Sequence, residues 1–211
     1  MEASTNDENR ATWTRFSIVL CICWPAAIVS ANTISNLDRM SAELETALDA
    51  ARRAAEISRH YYSGNFTVTT KVDRTPVTQA DVECEQAIRE TILDAFPEHG
   101  FFGEETGKTR PNAKNLWLVD PIDGTKGFVR QYPFFSTQIA LMRDGEIVLG
   151  VSCGTMFDEI AWAERGTGAW LNDQPLTVSS IDEIRDAAIS TGNLNSIAAS
   201  AGWKEIGIAH V

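Results

Sequence analysis

The chain has 211 residues, 44% of them hydrophobic, which is enough for a packed core and excludes wholesale disorder. Its formal net charge is −11, so it lacks the clustered Lys and Arg that a nucleic-acid backbone demands, and no nucleic-acid partner is expected. Phosphate esters are not excluded, because divalent cations can stand between two sets of negative charge.

Residues 16–29 form a short apolar run containing Pro25, preceded by Arg10 and Arg15 and followed by Val29-Ser30-Ala31. The run has the look of a signal-peptide core with a small-residue cleavage site, and it is too short for a membrane span. Glu2, Asp7 and Glu8 run against that reading. The favoured expectation is that translation begins at Met40, giving a cytoplasmic protein with no stable membrane association. Export follows instead if residues 1–31 act as a signal. On this division residues 1–39 are an extension, 40–180 a metal-binding domain and 181–211 the start of a second. The four cysteines, Cys21, Cys23, Cys84 and Cys153, form neither a CxxC pair nor a zinc-type cluster. They are expected to be reduced, with Cys84 and Cys153 in the core.

From Ser41, a plausible N-cap, Leu44, Ala47, Leu48, Ala51, Ala55 and Ser58 recur at helical spacing. Residues 66–71 read as a strand and Pro76 breaks the chain. Thr78-Gln-Ala-Asp81 opens a second helix through Phe96, with Cys84, Ile88, Ile92 and Ala95 on one face. Residues 116–119 read as a short buried strand ending at Asp120-Pro121. Residues 134–142 and 146–153 read as a hairpin turning at Asp144-Gly145. Residues 160–163 and 169–171 continue the meander, and 181–185 are helix-like.

Four acidic positions fall at the ends of these elements: Asp81, Glu104 with Glu105 beside it, Asp120 and Asp123. A rigid scaffold can aim such residues into one cleft. The cluster repels itself unless a hard cation neutralises it, and Mg²⁺ favours carboxylate, carbonyl and water oxygens. Two such ions about 3.5–4 Å apart can hold an attacking water and a leaving oxygen in phosphoryl transfer. The N–H groups of Gly124 and Thr125 could cradle the phosphate, and the Thr125 hydroxyl could orient the water. Each residue also has a plainer reading. Thr78 and Asp81 fit a helix capping box, Glu104-Glu105 a solvated turn, and Asp120-Pro-Ile-Asp123-Gly a turn rich in breakers. Lys71 by itself reads as a surface lysine.

Val77-Thr-Gln-Ala-Asp81, Gly103-Glu-Glu105 and Trp117-Leu-Val-Asp-Pro-Ile-Asp-Gly-Thr125 together resemble the inositol monophosphatase family, in order and in spacing. The resemblance covers the chain from about Met40 onward. It implies an α/β (α+β) fold, a layered α/β/α/β/α sandwich of the inositol monophosphatase and fructose-bisphosphatase type. It implies Mg²⁺ as cofactor, two or three ions, held by Glu104, Asp120, the Ile122 carbonyl and Asp123. Asp81 would support a further, weaker metal and hydrogen-bond Thr125. Catalysis would fall to Glu104, Thr125 and Asp81, phosphate contact to the Gly124 and Thr125 amides. Glu105 would lie just behind the ligands and Lys71 near the mobile metal.

Within the family, Gly124-Thr-Lys126 followed by Phe128-Val-Arg130 is most similar to bacterial histidinol-phosphatases, as is the stretch from 190 to 203. The implied substrate is a small phosphorylated metabolite: histidinol phosphate first, inositol 1-phosphate second, a 3′-phosphoadenosine nucleotide third. Full-length members are expected to be homodimers. The family's later Trp-Asp-x-Ala motif, whose Asp completes a metal site, has no counterpart before Val211. The matching expectation is a C-terminally truncated chain, and a catalytically silent metal-binding fragment is the alternative.

Overall fold

The computed structural model describes residues 40–64, 67–70 and 76–187. Lys71, the apolar run at 16–29 and the stretch 190–203 lie outside them. The chain divides into two compact units after Thr177. In the first, α1 (Ala42–Tyr62) starts where the Ser41 hydroxyl accepts the Leu44 N–H at 3.1 Å. Its buried face is Leu44, Ala47, Leu48, Ala50, Ala51, Ala54 and Ser58, so the stripe expected from the sequence holds apart from Ala55, which is half-buried. A hairpin of β1 (Val68–Thr70) and β2 (Pro76–Thr78) leads into α2 (Gln79–Ala95). Small alanines on α1 let α2 lie close, and the Cys84 thiol donates to the Ala54 carbonyl at 3.3 Å.

Both helices pack on one face of an eight-stranded sheet. Its strands are β3 (Gly100–Gly103), β4 (Gly107–Thr109), β5 (Asn115–Asp123), β6 (Ser136–Arg143), β7 (Glu146–Gly154), β8 (Glu159–Glu164), β9 (Gly168–Leu171) and β10 (Gln174–Leu176). The order is β10-β9-β8-β7-β6-β5-β3-β4, and only β3 and β5 run parallel. Alternation along β5 divides the core. Trp117 and Val119 join Phe101, Ile139, Leu141, Ile88 and Ile92 under the helices, whereas Leu116 and Leu118 join Phe102 and Ala140 in a second cluster. Cys84 and Cys153 are buried free thiols, and the architecture is α/β, both as expected.

The structure corrects the expected boundaries in several places. Pro76 begins a strand instead of only breaking the chain. The strand expected at 116–119 runs on through Pro121 to Asp123, because a register shift after Asp120 frees that segment from regular pairing. Residues 181–185 form no α-helix, only a 3₁₀ turn at Ile184–Asp186. Strands β3 and β4 were not anticipated at all: Gly-Phe-Phe-Gly is buried at every position and so shows no alternation. Because Ile88 is fully buried where α2 meets the sheet, Ile88→Ala should cost about 2–5 kcal/mol and Ile88→Val about 0.5–1.5 kcal/mol. Urea unfolding of the purified variants checks both.

Candidate metal centre

The candidate residues come from four neighbouring elements. Asp81 sits in the first turn of α2, Glu104 in the turn between β3 and β4, and Asp120 and Asp123 on β5. Thr125 opens a five-residue helix, α3 (Thr125–Val129). Between β5 and α3 the chain must reverse within one residue, and Gly124 does so at φ 99°. A Cβ there would also stand 2.9 Å from the Phe134 carbonyl oxygen. The Gly124 carbonyl then accepts the N–H groups of Gly127 and Phe128. Behind α3, Phe128, Phe135 and Tyr62 pack ring against ring, with Phe128 and Phe135 edge-on at 5.0 Å, which fixes the helix to the end of α1.

Asp120 and Asp123 are three residues apart, an odd spacing that turns side chains of a regular strand to opposite faces. Here Asp120 pairs with Gln138 and Asp123 with Ser136, three steps on β5 against two on β6. The extra residue is a bulge, and Pro121 falls inside it, where no ladder N–H is needed. The bulge restores parity, so both carboxylates face the way of Gln138 and Ser136. Those two share a face, since the Gln138 amide donates to the Ser136 hydroxyl at 2.6 Å.

Asp81 is buried and divides its oxygens between two tasks. Its Oδ2 accepts the Thr78 N–H at 2.7 Å and the Thr78 hydroxyl at 2.6 Å, completing a capping box. Its Oδ1 faces the Thr125 hydroxyl at 3.4 Å, which also lies 3.1 Å from the Ile122 carbonyl oxygen. The capping reading of Asp81 therefore holds, and it leaves one oxygen for the cluster.

Electrostatics bind the group together. Burial, followed by the carboxylates of Glu104, Asp123 and Asp81, pushes Asp120 well above the usual carboxylate range. Asp123, exposed on one side, is also raised, by the protein mass around it and then by Glu104. Asp120 Oδ1 is buried with no hydrogen-bond partner, and so is Oε1 of Gln138, opposite it in register. Acceptor-only oxygens crowded in a half-dry space suit a hard cation such as Mg²⁺. Among the described residues no three acidic, His or Cys side chains are gathered closely enough to hold a metal ion by themselves. Mg²⁺ does not require such a set, because it keeps several waters and takes few direct protein ligands.

One residue of this region went unnoticed in the sequence. Glu85, fully buried on α2, accepts the N–H groups of Glu105 at 2.7 Å and Thr106 at 2.6 Å. Its signal was an acid at 85 on the stripe Asp81, Ile88, Ile92, four residues on from Asp81.

Known proteins resemble the chain in sequence and in fold. The model of the inositol monophosphatase family matches residues 40–200. A histidinol-phosphatase of Chlorobaculum parvum is 39% identical over 145 residues, 68% of this chain and 56% of that protein. An inositol-1-monophosphatase of Rhizobium meliloti is 42% identical over 129 residues, 61% of this chain and 48% of that one. The chain thus spans about half the length of these curated relatives. Among solved structures, the extragenic suppressor protein suhB of Bartonella henselae superposes with a TM-score of 0.67 at 35% identity, covering 69% of this chain and 58% of that one. An inositol monophosphatase from Anabaena gives 0.60 at 32% identity, with 67% and 51% covered. With sequence and fold in agreement, the chain belongs to the inositol monophosphatase family.

Proposed function

We propose that the protein is a Mg²⁺-dependent phosphomonoesterase acting on a small phosphorylated metabolite, with histidinol phosphate as first substrate and inositol 1-phosphate as second. The observation that carries the reading is the buried Asp120, whose Oδ1 has no hydrogen-bond partner and whose pKa is raised by burial and by Glu104 and Asp123, together with the Asp81–Thr125 contact. Glu104, Asp120, the Ile122 carbonyl and Asp123 would hold Mg²⁺, whose charge offsets that of the phosphoryl oxygens and makes a bound water more acidic. Asp81 lies at the edge of this set and serves any further ion. The Thr125 hydroxyl, which donates to Asp81 Oδ1, would accept a hydrogen bond from an attacking water and, as that water's proton arrives, pass its own proton to the Asp81 carboxylate. Glu104 flanks the same water as a second proton acceptor. The Gly124 and Thr125 amides, at the turn into α3, contact the phosphate. Histidinol phosphate ranks first on Lys126 and the Phe128-Val-Arg130 segment, with the similarity to the Chlorobaculum histidinol-phosphatase in support. Among the described residues no helix is long and apolar enough to cross a membrane.

Phosphate release from histidinol phosphate, inositol 1-phosphate and 3′-phosphoadenosine 5′-phosphate, measured across a Mg²⁺ titration, is the direct test. Release that needs Mg²⁺ is expected, and none from any of the three defeats the proposal. Asp123→Asn should abolish turnover at ordinary Mg²⁺, because the ion loses a charged ligand. Thr125→Ala should lower kcat about 10²–10⁴-fold, the usual worth of a positioned proton acceptor, with little change in Mg²⁺ dependence.

A pH dependence follows from the raised Asp120. A carboxyl whose folded-state pKa lies above its unfolded value of about 3.9 stabilises the fold below that value and loses this contribution as pH rises through the folded pKa. Asp120→Asn carries no charge at any pH. In metal-free buffer its melting temperature relative to wild type should therefore climb as pH rises above about 4. Added Mg²⁺ should reverse the order at neutral pH. Thermal melts of both proteins from pH 4 to 8, with and without chelator, decide it.

A further inference from the structure

We propose that Glu85 is a positioning residue of the metal centre, a carboxylate clamp on the turn that presents Glu104. The clamp rests on the metal-site reading above but makes its own claim. The buried face of α2 carries apolar Cys84, Ile88 and Ile92, with Glu85 fully buried among them. Burying a carboxylate is costly unless its oxygens are satisfied, and an apolar residue would anchor the helix at lower cost. Glu85 spends both oxygens on one object. Oε2 accepts the N–H of Glu105 and Oε1 the N–H of Thr106, the two amides that follow Glu104. On the other side the Glu104 N–H itself donates to the Val119 carbonyl at 3.2 Å, one residue before Asp120. Glu104 is thus held between helix α2 and strand β5.

Two neighbours show how closely α2 fits the hairpin. A Cβ on Gly103 would lie 2.1 Å from Glu85 Oε1 and 2.3 Å from its Cδ, so only glycine lets the carboxylate rest against β3. One turn further along α2, the Arg89 guanidinium donates to the Thr109 hydroxyl on β4 and lies 5.2 Å from the centre of the Phe101 ring. Helix α2 therefore grips the hairpin at both strands and at its turn. Removing the Glu85 charge frees the turn, and with it the direction in which Glu104 points.

The experiment uses the purified chain with Mn²⁺ as a spectroscopic probe, comparing wild type, Glu85→Gln, Glu104→Gln and Ile88→Val. A Gln at 85 in the same pose sets its NH₂ against one of the two N–H groups, so only one of the paired hydrogen bonds survives. Glu85→Gln should weaken Mn²⁺ binding about 10–100-fold, as is typical for groups that orient a metal's ligands. Ile88→Val, which loses only packing, should bind as wild type does. Gly103→Ala, which displaces the carboxylate from the opposite side, should reproduce the loss if Glu85→Gln does not fold. Wild-type affinity in Glu85→Gln, alongside its loss in Glu104→Gln, overturns the clamp and leaves the metal reading standing. If wild type takes up no Mn²⁺, the metal reading falls and amide exchange alone judges the clamp. Exchange must then be slow at Glu105 and Thr106 in wild type and at least about fivefold faster in Glu85→Gln, a factor equal to one lost hydrogen bond of average worth.

Discussion

Side chains alternate along a β-strand, and this parity governs the whole centre. Asp120 and Asp123 belong to a continuous strand, yet the Asp123 carboxylate helps to raise the pKa of Asp120, and Glu104 raises both. One extra residue in β5 makes that possible, and it sits where the partner strand advances two positions while β5 advances three. Proline is excluded from the middle of a regular sheet but tolerated at a bulge, so Pro121 marks the irregularity. The Thr137 hydroxyl donates to the Pro121 carbonyl at 2.9 Å, which holds the bulged segment against β6. Everything downstream inherits this geometry: Ile122 turns its carbonyl toward Thr125, and Gly124 starts α3 in the left-handed region.

The second constraint is charge. Asp120 is buried beside three other carboxylates and has an oxygen without a partner. Such an arrangement costs stability in the metal-free protein and is tolerable only where the surrounding backbone cannot relax away from it. The aromatic packing behind α3 and the helix-to-turn contacts of α2 provide that rigidity from two sides. Stability given up in the cluster is recovered in the apolar core, where Trp117 and Val119, two residues of the same strand, lie fully buried under the helices.

How much of this was legible depended on the range of the signal. Local chemistry read well. Ser41 and Thr78 cap their helices and Asp144-Gly145 turns the β6–β7 hairpin, because capping and turn residues act within three or four positions. The Gly100–Gly103 strand did not read, because a strand buried on both faces has no alternation to display. The bulge did not read either, since Pro121 looks the same whether it ends a strand or interrupts one. Glu85 escaped for a different reason. A glutamate on a helix is normally solvated, and only the tertiary approach of the 104–106 turn explains its burial.

Asp81 shows why the plainer reading of a residue need not exclude the functional one. Its Oδ2 takes two hydrogen bonds from Thr78, and these fix the side-chain torsions as firmly as any packing would. Fixing one oxygen fixes the other, so Oδ1 is delivered to Thr125 without further support. The cap that starts α2 is therefore also the device that aims an acceptor at the cluster. A glutamate at 81 would lengthen the side chain and break the reciprocal bond to the Thr78 N–H. An asparagine could keep one contact only by surrendering an acceptor at the other, because its amide nitrogen donates. Aspartate alone closes the box with one oxygen and still presents a second acceptor at the distance found.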